Sequence, residues 1–191
     1  AAASEYGGLF RSDLEAFVDP AAVAAATVPG RLELPAMSDT AYRCFTDPSG
    51  GRQDAFTLAI GHLEGGVAVV DCVRSVRPPF SPDDVVREYA ATMRLYGVTS
   101  CVGDRYAGAW PSERFAAHGI GYVAATKTKS DYYREVLPAI NRGAVALVDV
   151  PQLAAQFCRL ERRVSRGGKD SIDHGPGGSD DLCNAVAGLC V

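Results

Sequence analysis

Three runs of strand-forming residues parted by two glycine turns, YRCFTDPSGGRQDAFTLAIGHLEGGVAVVDCVRSVR over Tyr42–Arg77, constrain this chain more than any other stretch. Ala55–Leu63 alternates Phe56, Leu58 and Ile60 with Thr57, Ala59 and Gly61, the two-residue period of a strand. Glu64-Gly65-Gly66 is short enough to turn the chain directly into Val67–Val76, whose β-branched content suits the returning strand. The first run, Tyr42–Thr46, ends on Asp47 just before the turn Pro48-Ser49-Gly50-Gly51. An antiparallel three-strand meander is therefore expected, with an acid at the end of its first strand. A carboxylate there is costly to desolvate unless a charge meets it, so a metal or a cationic partner is expected at Asp47.

The flanking sequence adds helices and further short strands. Phe10–Val28 is helix-prone, with Pro20 restarting a second Ala-rich piece, and Arg31–Thr40 is a linker into the meander. Ser81-Pro82-Asp83-Asp84 combines a capping serine, a proline at the first helical position and acids in the first turn, and Val85, Tyr89, Met93 and Tyr96 continue at helical spacing. Val98–Gly103 is a short buried strand that delivers Asp104 at its end, as the first strand delivers Asp47. Beyond it the pattern predicts helix over Pro111–His118, strand over Gly121–Ala125, helix over Lys129–Arg142 and strand over Val145–Val148. Gln152–Val164 is expected to be one amphipathic helix with Leu153, Phe157, Leu160 and Val164 on one side. Arg159, Arg162, Arg163 and, just beyond, Arg166 stand opposite, either as a solvated face or as DNA contacts. Ser171–Ser179 is turn-rich, and Asp180–Leu189 is a helix that opens on two adjacent acids with Ser179 as its cap.

Length and composition exclude several classes. At 191 residues with 47% hydrophobic and 22% charged content, the chain suits one soluble domain with a real core. No apolar run approaches the ~20 residues of a membrane span, so no membrane partner is expected. The six cysteines form no C-x-x-C pair and lie mostly inside apolar runs, which favours buried free thiols in a reducing cytoplasm over a disulfide framework or zinc site. Charge is uneven: residues 1–104 hold 8 basic against 14 acidic side chains, 105–170 hold 11 against 6, and 171–191 hold none against 3. Acids gather around the candidate site and bases follow the second candidate acid, a distribution that suits a polyanion laid across a metal centre.

Asp47 and Asp104 at strand ends and Asp180 or Asp181 at a helix start form a set of oxygen donors. Carboxylates drawn together in this way bind hard divalent ions, Mg²⁺ or Mn²⁺. Two such ions can activate a water and stabilise the leaving oxygen in phosphodiester cleavage, with no serine or cysteine nucleophile. Taken at 3.6 residues per turn, Leu182, Val186 and Leu189 mark the buried stripe of the last helix. Asp181 lies on the flank it shares with small Ala185, which favours Asp181 as the direct ligand and leaves Asp180 to a second ion or the cap.

The segments FTDPSGGRQDAFTLAIGH, CVGDRYAGAWP, TKSDYY and SIDHGPGGSDDLCNAVAG resemble, in order and at suitable spacing, the motifs of the nuclease domain of tailed-phage large terminase subunits. The resemblance runs from about Tyr42 to the C-terminus, and EYGGLFRSDLEAFV is similar to the segment that joins the terminase ATPase to its nuclease. It implies an α/β, RNase H-like fold close to RuvC resolvases: a mixed sheet, the antiparallel meander followed by parallel strands, with helices on both faces. Residues 1–40 would be a helical lead-in and linker from an upstream ATPase domain, and 41–191 the nuclease. The implied activity is metal-dependent endonucleolytic cutting of concatemeric double-stranded DNA during packaging in the host bacterial cytoplasm. Asp47, Asp104 and Asp180 or Asp181 would hold two Mg²⁺ or Mn²⁺ ions, and the ATPase domain, the small terminase subunit and the portal protein would be partners. Two departures stand out. Without the ATPase this chain could cut DNA but not translocate it, and Ser179 replaces the histidine that many relatives place before the paired acids.

Further residues have two readings each. Asp54 either supports the site or caps a turn; His174 is a second-shell group, a general acid or a loop histidine; Lys127 and Lys129 clamp a phosphate or are solvated. Trp110 and Tyr106 wall the site or pack in the core. The competing functions are another RNase H-like nuclease, such as a Holliday junction resolvase, and a DNA-gripping module without turnover.

Overall fold

The computed structural model describes residues 14–105, 109–164 and 170–191. The chain enters as a short strand, β1 (Leu14–Ala16), and a helix, α1 (Pro20–Ala26), whose first turn is capped by Asp19 Oδ1 accepting from Ala21 N–H at 2.9 Å. Where a helical lead-in is expected over Phe10–Val28, the second piece from Pro20 is helical but Leu14–Ala16 is a strand, and residues 10–13 lie outside the described residues.

The meander forms as expected: β2 (Tyr42–Asp47), β3 (Phe56–Glu64) and β4 (Val67–Val76) pair antiparallel, with Asp47 opposite Thr57 and Glu64 opposite Val67. The β3–β4 register shifts between Ile60 and Gly61, which pair with Cys72 and Val70 and leave Asp71 as the extra residue of a bulge. Its buried carboxylate lies 2.6 Å from His62 Nδ1.

Helix α2 (Pro82–Leu95) starts at Ser81, as its capping signal requires, and leads to β5 (Ser100–Gly103), which runs parallel to β2. Helix α3 (Trp110–Ala117) and strand β6 (Gly121–Ala124) repeat the unit outward. Helix α4 (Lys129–Asn141) begins in a capping box between Thr128 and Asp131, and β7 (Val145–Ala146) pairs parallel to β4 on the other edge. The six strands stand in the order β6-β5-β2-β3-β4-β7.

Helix α5 spans Pro151–Cys158; the chain then extends as β8 (Leu160–Val164), which lies between β1 and β9 (Asp170–His174) in a separate three-stranded sheet. This corrects the single helix expected over Gln152–Val164 and the turn expected from Ser171. Residues 160 and 164 share a face in a strand as well as in a helix, and the ladders to β1 and β9 satisfy the backbone on both sides. The last helix, α6 (Asp181–Cys190), returns across β2, β3 and β4. It comes so close that a Cβ on Gly188 would stand 2.5 Å from the ring of buried Phe45.

The sheet separates two cores. Side chains of α1, α4, α5 and α6 pack with Phe45, Ala59 and Val70 on one face, and those of α2 and α3 pack with Cys44, Phe56, Leu58 and Ile60 on the other. Helices therefore cover both faces. All six cysteines are free thiols. Among the described residues no helix is long and apolar enough to cross a membrane.

Candidate metal centre

Cover on both faces of the sheet buries Cys44, Phe45 and Thr46 in succession, and β2 ends on Asp47, where Asn184 Nδ2 of α6 donates to its Oδ2 at 2.8 Å. On the neighbouring parallel strand, Asp104 extends the pairing beyond β5, donating its N–H to the Thr46 carbonyl at 3.1 Å. Its own carbonyl accepts from the Tyr122 hydroxyl at 2.8 Å. Parallel pairing thus places the two acids side by side at the same sheet end. From the other side, Asp181 opens α6; its carbonyl accepts from Thr57 Oγ1 at 2.8 Å and its Oδ2 from the Ala55 N–H at 3.4 Å.

Asp47, Asp104, Asp180 and Asp181 line one open cavity of about 500 Å³, together with Asp54, Lys129, His174, Trp110 and Asn184. Burial raises the Asp47 carboxyl to about 7; the Asn184 hydrogen bond opposes this rise, and the charges of Asp104, Asp181 and Asp180 add to it. Burial likewise raises Asp181, against the Ala55 N–H and with the help of Asp180 and Asp54.

Asp180 is held differently from the other three acids. It is the N-cap residue of α6 but makes no side-chain cap bond. Its buried Oδ2 accepts from the Tyr133 hydroxyl and pairs with Lys129 Nζ, both at 2.9 Å. Lys129 also pairs with Asp173 at 2.9 Å. Burial works against the Lys129 ammonium, yet Asp180 and Asp173 outweigh it and raise the pKa. Asp173, although penalised by burial, is lowered by Lys129. Asp173, His174 and Asp180 have potential ligand atoms all within 4.8 Å of one another, a tighter group than Asp47, Asp104 and Asp181 make, but the ammonium already counters both of its acids.

The expected serine cap is corrected here. Ser179 Oγ accepts from Gln156 Nε2 at 3.0 Å, and Gln156 Oε1 accepts from the N–H groups of Leu182 and Cys183 at 2.9 Å each. A glutamine of α5 therefore caps α6. The expected stripe on this helix is also too narrow: every residue from Leu182 to Ala187 is buried, because α6 lies between the sheet on one side and α4 and α5 on the other.

Of the other expected residues, Asp54 is exposed at the cavity mouth, and His174 hydrogen-bonds the Gly175 carbonyl through Nδ1 at 2.8 Å. The two lysines part company: Lys129 enters the acidic cavity, whereas Lys127 pairs with Glu135 at 2.5 Å and lines a different cavity. Arg162 and Arg163 sit exposed on β8, outside the acidic cavity, and Arg163 reaches the His174 carbonyl at 3.2 Å. Arg166 and Tyr106 lie outside the described residues. Trp110 has both expected roles, lining the cavity while its ring stands perpendicular to Phe56 at 6.1 Å. Asn184, Asp173 and Tyr133 escaped the sequence reading. Only Asn184 left a signal, standing three and four residues after the paired acids and so on their face of the helix.

The donors suit a hard divalent cation. The four aspartates offer oxygen only, Asp47 is forced toward neutrality where no cation is present, and the buried Asn184 Oδ1 has no hydrogen-bond partner.

No protein-family model matches the chain, and no curated protein matches it. Solved structures do. The large terminase nuclease of thermophilic phage G20c superposes with a TM-score of 0.76 at 18% identity, over 88% of this chain and 94% of that one, and its form with bound magnesium gives the same score. The nuclease domain of the large terminase subunit gp2 of bacterial virus Sf6 gives 0.65 at 16% identity, over 93% of this chain and 99% of that one. The large terminase of bacteriophage HK97 gives 0.71 at 15% identity; the match covers 93% of this chain but 43% of the HK97 chain. The chain therefore has the RNase H-like fold of the large terminase nucleases.

Proposed function

We propose that this chain is a metal-dependent endonuclease that hydrolyses phosphodiester bonds of double-stranded DNA, the nuclease domain of a large terminase subunit that cuts concatemeric phage DNA during packaging. The observation that carries this reading is the meeting of Asp47, Asp104 and Asp181, from two adjacent strand ends and a helix start, at one cavity of a terminase-nuclease fold.

In this reading Asp47, Asp104 and Asp181 hold Mg²⁺ or Mn²⁺, with Asp180 available to a second ion. Divalent ions bound there supply activation of a water and charge stabilisation at the leaving oxygen. The protein's own groups do the rest. Asn184 fixes the Asp47 carboxylate, and Lys129 and Tyr133 fix Asp180. His174 stands at the cavity wall with Nε2 3.9 Å from Asp180 Oδ1. Trp110 forms part of the cavity wall. Residues 1–40 would lead in from an ATPase domain, with the small subunit and the portal as further partners in the host cytoplasm.

Supercoiled plasmid incubated with Mg²⁺ or Mn²⁺ should be nicked and then linearised, and excess chelator should abolish both. Cutting that persists in chelator overturns the mechanism, and intact plasmid in both metals overturns the activity.

A further inference from the structure

Asn184 is 1% exposed, lines the acidic cavity, and is the one amide among the cavity's carboxylates. Its backbone N–H donates to the Asp180 carbonyl at 2.8 Å, so the first turn of α6 sets its position directly behind the paired acids. Its orientation follows from chemistry: only the NH₂ end can donate to the Asp47 carboxylate, 2.8 Å away, which commits Oδ1 to the opposite direction. That oxygen is buried and has no hydrogen-bond partner. Buried amide oxygens are almost always satisfied, so one left over calls for a donor. The nearest carboxylates are engaged as acceptors, Asp47 from Asn184 itself and Asp180 from Tyr133, and do not serve. A divalent cation, or a water in its hydration shell, can, since amide oxygens are ordinary ligands of hard cations.

Resting on the nuclease reading above, we propose that Asn184 is a positioning residue and neutral oxygen donor of the cation centre. Its NH₂ fixes the Asp47 carboxylate, and its amide oxygen completes the cation's environment. An aspartate at this place would add a fifth like charge and lose the donor to Asp47, whereas asparagine supplies oxygen without charge.

The test is Mn²⁺ calorimetry and thermal unfolding without DNA, on the wild type, Asn184→Leu, Asn184→Asp and, as control, Asp47→Asn. Asn184→Leu keeps the volume and removes both polar ends, so Mn²⁺ affinity should fall by about tenfold or more. Asn184→Asp should melt below the wild type in chelator yet show a larger Mn²⁺-induced rise in Tm. Wild-type affinity in Asn184→Leu overturns the proposal. Should that variant fail to fold, an Mn²⁺-induced rise in Asn184→Asp no larger than the wild type's overturns it equally. The two readings separate cleanly. If the wild type and Asp47→Asn differ in Mn²⁺ binding while the Asn184 variants match the wild type, only this inference falls; a wild type that binds no Mn²⁺ ends the nuclease reading and this inference with it.

Discussion

Burial first, and then the charges of Asp104, Asp181 and Asp180, disfavour the ionised form of Asp47 when no cation is bound. Its folded pKa of about 7 stands above the ~3.9 of an unfolded chain. Between roughly pH 4 and pH 7 the folded protein therefore holds a proton that the unfolded chain has released. The stability this provides is fully present below about pH 4 and is lost as the pH rises through about 7. The size is bounded by about 4 kcal/mol and is smaller in practice, because Asp47 keeps some contact with solvent. Asp47→Asn keeps an oxygen to accept from Asn184 and removes the titration. In chelator its Tm should exceed the wild type's at pH 8, and the two should converge toward pH 4, while plasmid cutting is lost. Parallel melting curves across that range would show that the Asp47 carboxyl is not raised in the folded protein, and retained cutting would remove it from the centre.

At the level of elements, the parts of the site that follow from local signals were legible and those that depend on distant partners were not. Asp47 and Asp104 could be placed because each follows a run of strand-forming residues, although that before Asp104 alternates exposed Ser100 and Val102 with buried Cys101 and Gly103, and parallel pairing of β2 with β5 does the rest. The β8–β9 sheet could not be read. Leu160 and Val164 fit helix and strand alike, and the choice was made by ladders to β1 and to β9, a five-residue run whose one hydrophobic side chain is Ile172. Lys129 and Lys127 look equivalent in sequence, yet the turn into α4 directs one to Asp180 and the other to Glu135. The cap of α6 was hidden for the same reason, since Gln156 comes from α5. Gln156→Leu leaves the N–H groups of Leu182 and Cys183 unpaired in a buried setting, at a cost of about 1–3 kcal/mol. The urea midpoint should fall accordingly, and Mn²⁺ binding should weaken because Asp180 and Asp181 lose their rigid support. An unchanged midpoint would mean that water replaces the glutamine.

Over the whole molecule, acids converge on the cavity, while Arg162 and Arg163 stand exposed on β8 outside it. Arg163 has its guanidinium at the His174 carbonyl, with His174 itself in the cavity wall. If the chain is the proposed nuclease, a duplex approaching this face would meet attraction at Arg163 and repulsion at the carboxylates, and its phosphates would settle there only once cations neutralise them. DNA affinity should therefore depend on divalent ions independently of cutting. Fluorescence anisotropy of a labelled duplex, at constant ionic strength, should give weak binding in chelator and at least tenfold tighter binding in Ca²⁺, with the duplex checked for integrity on a gel. Arg163→Ala should lower affinity in both conditions and reduce the slope of log affinity against log salt by about one, the value for one lost phosphate contact. Asp47→Asn should do the reverse in chelator, binding DNA more tightly than the wild type because one repelling charge is gone. Equal affinity of wild type and Asp47→Asn in chelator, together with no gain on adding Ca²⁺, would show that the duplex does not cross the acidic cavity.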